Sequence, residues 1–161
     1  MFCLVIQNNF STSKVFFKLS GVFPVKKKKK VIIYTDGGSR GNPGPAAAGF
    51  VITDTRQNIL HSAGLYLGKT TNNVAEYTGM LKAVQSAKKL SADSVQLYSD
   101  SELMVKQING EYRVKSANLK DLFYQLMEIL DTFTSWKMTH VLRGNNKHAD
   151  ALVNQALDLK T

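Results

Sequence analysis

The sequence is poor in the residues that build disulfide-linked, zinc-binding or membrane-spanning proteins. Its 161 residues include one cysteine and three histidines. The single cysteine, Cys3, excludes an internal disulfide framework and fits a reducing compartment. No apolar run approaches the roughly 20 residues that a membrane span needs, so we expect no membrane partner. The length instead fits one domain with a real hydrophobic core.

Acidic residues are absent from residues 1–30, which contain seven lysines, five of them consecutive. Residues 31–161 contain 14 basic and 12 acidic residues, so most of the net charge of +9 belongs to this N-terminal arm. Such an arm attracts polyanions without reading their sequence, or it is simply a solvated, disordered linker. Nothing in it resembles a secretory signal with a cleavage site. We expect a cytoplasmic protein and leave organelle targeting by the arm open.

A glycine-rich turn follows the first apolar run, in residues 31–44, VIIYTDGGSRGNPG. The run predicts a strand, and the turn predicts a loop to which another chain or ligand can come close. Asp36 sits at the polar end of the run, where a carboxylate is costly unless something positive meets it. A metal ion is one such partner. The alternative is an aspartate that caps the turn.

The hydrophobic periodicity predicts one α/β domain over residues 31–161, with the element order βββαβααβα. Short turns between the first three strands favour an antiparallel meander, and the later strands alternate with helices, which favours parallel pairing in one mixed sheet. The predicted strands are residues 31–36, 47–54, 58–67, 94–100 and 136–142; the predicted helices are residues 73–90, 101–109, 118–133 and 146–159.

Four carboxylates lie at the ends of these elements. We place Asp36 and Asp100 at strand ends, and Glu76 and Asp150 in the first turns of helices. Each one alone has a structural explanation, because acids favour helix N-termini and cap turns. Together, with no cluster of histidine or cysteine, they describe an all-oxygen site suited to Mg²⁺ or Mn²⁺. Two such ions can activate water and stabilise the leaving oxygen of a phosphodiester.

The motifs around these acids, YTDGGSRGNPG, TTNNVAEY, LYSDSELMVKQING and NNKHADALVNQAL, resemble those of the type 1 ribonucleases H over residues 31–159. The resemblance implies the ribonuclease H-like fold, a mixed five-stranded sheet with helices on both faces. It implies endonucleolytic hydrolysis of the RNA strand of an RNA–DNA hybrid, giving 3′-hydroxyl and 5′-phosphate ends. Two Mg²⁺ ions, with Mn²⁺ as a substitute and no small-molecule cofactor, would be held by the four catalytic carboxylates Asp36, Glu76, Asp100 and Asp150.

The same resemblance implies which residues contact the substrate. One set lies in the glycine-rich turn, where backbone groups would meet 2′-hydroxyls, and the other precedes the long helix, where helix capping is a compatible second role. These residues are Gly38, Ser39, Arg40 and Asn42 in the turn, and Thr71, Asn72 and Asn73 before the helix.

The chain departs from many members of that family in two places. Residues 110–118, GEYRVKSAN, run directly into the next helix, so the basic insertion that grips the hybrid is missing and the lysine arm is a candidate replacement. The segment before Asp150 is short. Arg143 is our candidate for the histidine that assists product release, and His148 is the alternative, unless it is only a solvent-facing helix-start residue. Some compact members also cut RNA duplexes, so double-stranded RNA stays open as a partner, and we expect a monomer.

Other functions remain to be weighed. A binding module of the same fold would hold hybrid or double-stranded RNA without cutting, but it would be expected to lack one or more of the four acids. Transposase-like or resolvase-like DNA processing is less consistent with the paired asparagines and the SRGNPG turn. A ribonuclease part of a retroelement polyprotein would need a context outside this chain.

Overall fold

The structure, a computed structural model, describes residues 28–159, which form five strands, four α-helices and one 3₁₀ turn. Their order is the predicted βββαβααβα, and the arm predicted for residues 1–30 lies outside the described residues as far as residue 27. The strands are β1 (Lys30–Ser39), β2 (Gly44–Thr53), β3 (Ile59–Thr70), β4 (Ser94–Ser99) and β5 (Ser135–His140); the helices are α1 (Asn72–Lys89), α2 (Glu102–Ile108), α3 (Ala117–Leu130) and α4 (Lys147–Leu159), with the 3₁₀ turn at Arg143–Asn145.

The five strands form one mixed sheet in the order β3-β2-β1-β4-β5. β1 pairs with β2, and β2 with β3, in antiparallel fashion, whereas β1 with β4 and β4 with β5 are parallel. The predicted meander and parallel extension are therefore confirmed. In the parallel register Thr35 lies opposite Ser99, so the next residues, Asp36 and Asp100, come to the same edge of the sheet.

Helices cover the sheet on both faces. On one face the side chains of α1, α2 and α3 form the main core with the buried side chains of β1, β2 and β4. On the other face α4 packs across β1, β2 and β3, where Val153, Ala156 and Leu157 meet Ala47 in a smaller cluster. The periodic apolar residues of the predicted strands and helices therefore do face the core.

Several predicted boundaries are wrong in ways that matter for the site. β1 extends to Ser39, so Asp36 lies inside the strand and not at its end. α1 begins at Asn72 and is capped by Thr71, whose backbone is extended and whose side-chain oxygen accepts the Val74 N–H, so neither Asn72 nor Asn73 is the cap. Glu76 consequently lies beyond the first turn of α1.

Two other boundaries shift by a few residues. α3 starts at Ala117 after Ser116, which replaces the predicted cap Asn118. At the start of the domain, the Lys29 backbone N–H donates to Asp93 Oδ2 at 2.6 Å, and Lys30 already belongs to β1. The last lysines of the run are therefore part of the fold. No helix in residues 28–159 is long and apolar enough to cross a membrane.

Candidate active site

The four predicted carboxylates line one cleft of about 520 Å³, which we call the carboxylate cleft. Each comes from a different element: Asp36 from β1, Glu76 from α1, Asp100 from the residue after β4, and Asp150 from the first turn of α4. The cleft lies where β1 and β4 bring their carboxyl ends together, the usual place for a ligand in a sheet with parallel strands. The sheet and two helices, one on each face, thus assemble residues that are up to 114 positions apart in the sequence.

Gly37 is what allows β1 and α1 to approach so closely. A Cβ atom on Gly37 would lie 2.2 Å from the backbone nitrogen of Glu76, well inside van der Waals contact. The strand therefore needs glycine at this position, because any side chain would push the helix away. Because Gly37 follows Asp36 directly, its contact with the Glu76 backbone brings the backbones of Asp36 and Glu76 close together.

Burial makes the ionised forms of Asp36 and Glu76 unfavourable. Asp36 is 8% exposed, and burial, with the charge of Asp100 adding to it, raises its pKa to about 7, although the Gly37 N–H partly opposes the shift. Burial also raises the pKa of Glu76 to about 7, again with a contribution from Asp100. Neither carboxylate forms an ion pair in residues 28–159, and the charge of Arg143 only partly opposes the rise in the pKa of Asp36.

Two side chains fix the orientation of Glu76. The Ser101 hydroxyl donates to Oε2 at 2.5 Å, and the Asn72 side-chain amide donates to Oε1 at 2.9 Å. Ser101 also caps α2, accepting the Met104 N–H, so the alternative in which Asp100 is that cap is wrong. The sequence reading missed Ser101, although a serine directly before a helix is a signal for such a cap.

The remaining two acids have partners from the segment between β5 and α4. The Asn146 side-chain amide donates to Asp100 Oδ1 at 3.0 Å. The Arg143 guanidinium donates to Asp150 Oδ1 at 2.5 Å. This hydrogen bond raises the pKa of Arg143 above its ordinary value. Arg143 is thus brought into the cleft as the sequence suggested.

The two histidines near the site lie in different places. His148 is exposed at the start of α4, as the helix-start alternative predicted, and it lines a separate cavity of about 380 Å³ instead of the carboxylate cleft. His140, for which the sequence predicted no role, does line the cleft, with Nε2 at 3.3 Å from the Asp100 carbonyl oxygen. His140 was missed because its strand position carries no motif.

The predicted substrate residues divide between the cleft and its surroundings. Four of them line the cleft: Gly38, Ser39, Arg40 and Asn72. Arg40 forms an ion pair with Asp158 of α4. Asn42 accepts the Asn72 backbone N–H at 3.2 Å, which ties the glycine-rich turn to the start of α1. Thr71 caps α1, and Asn73 is not among the cleft-lining residues.

The donor chemistry of the cleft fits hard divalent cations. Four carboxylates and no cysteine line it, and its two guanidinium groups, Arg40 and Arg143, are both paired with aspartates. In residues 28–159 no three acidic, histidine or cysteine side chains converge closely enough to hold a metal ion as they stand. The four carboxylates therefore line one cleft without forming a closed coordination shell in this structure.

Comparisons with known proteins agree with this architecture. A family model described as reverse transcriptase-like matches residues 34–156. The chain is 37% identical to ribonuclease HI of Halobacterium salinarum, over 96% of this chain and 75% of that protein. It is 38% identical to the N-terminal RNase H domain of Rv2228c from Mycobacterium tuberculosis, with a TM-score of 0.80 over 82% of this chain and 96% of that one.

A third relative was solved with nucleic acid. LC11-RNase H1, isolated from compost, was determined in complex with an RNA/DNA hybrid; it is 43% identical, with a TM-score of 0.76 over 81% of this chain and 98% of that one. In Rv2228c as a whole, the matching region makes up 36% of the length, so this chain corresponds to one part of that bifunctional protein. From its fold and from these relatives, the chain belongs to the type 1 ribonuclease H family of enzymes.

Proposed function

We propose that this chain is an endonuclease that hydrolyses the RNA strand of RNA–DNA hybrids, leaving 3′-hydroxyl and 5′-phosphate ends. The observation that carries the proposal is the meeting of four carboxylates, from four separate elements, in one cleft. The hybrid bound to LC11-RNase H1 supports the choice of substrate class. A non-cleaving binding module is disfavoured, because it has no need for two carboxylates whose pKa values are raised by burial and by the charge of Asp100.

The carboxylates would hold two Mg²⁺ ions, or Mn²⁺ in their place. All four would serve as ligands, since all four line the cleft. Bound there, the ions would supply an activated water and charge stabilisation for the leaving oxygen. The protein's own part is to orient Glu76 through Ser101 and Asn72, and Asp150 through Arg143.

The glycine-rich turn provides the substrate surface beside the acids. Gly38, Ser39 and Arg40 line the same cleft, and backbone groups there can meet the 2′-hydroxyls that distinguish RNA from DNA. Arg40 is exposed and can exchange Asp158 for a phosphate oxygen. Asn72 has its side chain on Glu76, so in this structure it serves the acid before it serves the substrate.

The test of the proposal is cleavage of one labelled sequence in four forms: RNA–DNA hybrid, RNA duplex, DNA duplex and single-stranded RNA. Each is incubated with Mg²⁺, with Mn²⁺ and with chelator. We expect metal-dependent cutting of the RNA strand of the hybrid, and the RNA-duplex lane measures how strict the enzyme is. Tight binding with no cutting under either metal would contradict the proposal and favour the binding module.

For the N-terminal arm we propose a role in holding nucleic acid in place of the missing basic insertion. A chain starting at Lys28 removes four lysines and keeps the Lys29 contacts to Asp93. The slope of log Kd against log salt should fall by about 3 to 4, at roughly 0.9 per lost phosphate contact. Binding is measured with Asp36→Asn in both chains to prevent cutting. An unchanged slope would show that the arm does not contact the hybrid.

A further inference from the structure

Asn146 is a buried asparagine in the segment between β5 and α4, and the proposed function so far gives it no role. It is 1% exposed and is among the largest fully buried side chains of the described residues. Its side-chain nitrogen donates to the Thr35 carbonyl oxygen at 2.8 Å and to Asp100 Oδ1 at 3.0 Å. Both partners are acceptors, so only the amide nitrogen can occupy this position, and the orientation of the amide follows from its neighbours.

The backbone of Asn146 makes two further bonds that lead to the fourth acid. Its carbonyl oxygen accepts the Asp150 N–H at 3.1 Å in the first turn of α4, and its N–H donates to the Arg143 carbonyl oxygen at 2.9 Å. One residue therefore bonds to the strand position before Asp36, to the side chain of Asp100 and to the backbone of Asp150. These three acids belong to elements that are otherwise far apart in the sequence.

The other side-chain atom of Asn146 shows that stability alone does not explain the residue. Asn146 Oδ1 is buried and has no hydrogen-bond partner among the described residues. A buried polar atom without a partner is unfavourable, so a residue kept only for packing would be better served by an apolar side chain. The favourable contribution that offsets this cost must come from the two hydrogen bonds that the side-chain nitrogen donates.

We propose that Asn146 is a positioning residue, whose side-chain amide holds Asp100 against β1 so that Asp36, Asp100 and Asp150 stay in register for metal binding. The inference rests on the proposed function, because it needs those acids to be metal ligands. Groups that orient metal ligands in this way typically change metal affinity or activity by 10- to 100-fold when they are removed.

Two variants and a matched control test the proposal. Asn146→Ala removes the donor without adding charge, and Asn146→Asp keeps the shape of the side chain but replaces the donor with a carboxylate beside Asp100. Asn145→Ala is the control, since Asn145 is the exposed neighbour in the 3₁₀ turn. Mn²⁺ binding is measured by calorimetry in the absence of substrate. The values of kcat and KM are measured on the hybrid with Mg²⁺, and folding is checked by thermal unfolding.

For Asn146→Ala we expect Mn²⁺ affinity and kcat to fall about 10- to 100-fold, with KM for the hybrid within about twofold. Asn146→Asp should be impaired at least as much, and Asn145→Ala should match the wild type. A folded Asn146→Ala with wild-type Mn²⁺ affinity and kcat overturns the inference, as does a functional Asn146→Asp or unfolding of both variants. A wild-type chain that neither binds Mn²⁺ nor cuts the hybrid would instead overturn the proposed function, and this inference with it.

Discussion

Asp36 is 8% exposed in the carboxylate cleft and Glu76 beside it is half-buried, whereas Asp150 has 27% of its side chain exposed and pairs with an exposed arginine. Asp36 and Glu76, which we call the buried pair, lie on β1 and α1 where the backbones of these elements touch, and in residues 28–159 neither forms an ion pair. The rim pair, Asp150 and Arg143, sits on a helix start and a 3₁₀ turn and supplies its own cation.

The difference indicates how the two parts of the site divide the work. The buried pair has no ion-pair partner in residues 28–159, so we expect it to attract a cation more strongly. Asp150 of the rim pair already has a cation beside it, Arg143, whose side chain is 75% exposed. We therefore expect the buried pair to decide whether the enzyme works and the rim pair to decide how fast it turns over.

The largest effect should come from neutralising the centre of the buried pair. Asp36→Asn should lower kcat by about three orders of magnitude or more, because it removes the most buried of the four carboxylates that would hold the ions. Asp150→Asn should lower kcat less, since Asp150 is more exposed and is already paired with Arg143. Single-turnover cleavage of the hybrid measures both, with Asp121→Asn on exposed α3 as the control. Near-normal turnover in Asp36→Asn would break the comparison.

The second largest effect concerns the backbone contact beneath the buried pair. Gly37→Ala should lower the free energy of unfolding by about 3 kcal/mol or more, because β1 and α1 must separate to admit the methyl group. Gly144→Ala is the matched control, since nothing lies within 4 Å of its added Cβ. Urea unfolding measures both. Equal stability in the two variants would mean that the contact between β1 and α1 is not tight.

A smaller effect should appear in the pH dependence of stability without metal. The pKa values of Asp36 and Glu76 are about 7 in the folded chain and near 4 when unfolded, so the folded chain binds more protons between these values. The contribution is therefore complete below about pH 4 and is lost as the pH rises through 7. Urea unfolding in chelator from pH 4 to 8 measures the loss.

Two results sharpen this pH prediction. Asp36→Asn should show a smaller fall in stability, because one of the two titrating groups is gone. Added Mg²⁺ should raise the stability of the wild type most at high pH, where both carboxylates are ionised. A wild-type stability that is flat from pH 4 to 8 in chelator would show that the buried pair is already compensated.

The sequence predicted the fold well, and it singled out four acids that the structure brings to one cleft. Alternation and helical spacing reflect which side chains face the core, so the order of the elements could be predicted from local patterns. The acids were singled out because each was predicted to end or open an element, although the structure places Asp36 inside β1 and Glu76 beyond the first turn of α1. Ends were less accurate: β1 runs three residues beyond Asp36, since pairing with β2 and not side-chain polarity decides where the strand stops.

The parts of the site that the sequence missed are contacts between distant residues. Ser101 meets Glu76 across 25 positions, and Asn146 meets Asp100 across 46. The sequence position of Ser101 or Asn146 does not indicate which acid it will contact, because that contact depends on how whole strands and helices pack. His148 illustrates the opposite case, because a residue close in sequence need not be close in space. It lies two residues before Asp150, but it lines a different cavity at the start of α4.

The smallest expected effect tests the rim pair. Arg143→Ala should lower kcat about tenfold, because Asp150 loses the group that orients it and the cleft loses a mobile cation near the product. Lys147→Ala is the control, as a nearby exposed cation that does not line the carboxylate cleft. If Arg143 acts on product release, the first turnover should stay fast and only later turnovers should slow. A first turnover that slows as much as the later ones would place Arg143 with the buried pair in the chemical step, and the division of work between the two pairs would fail.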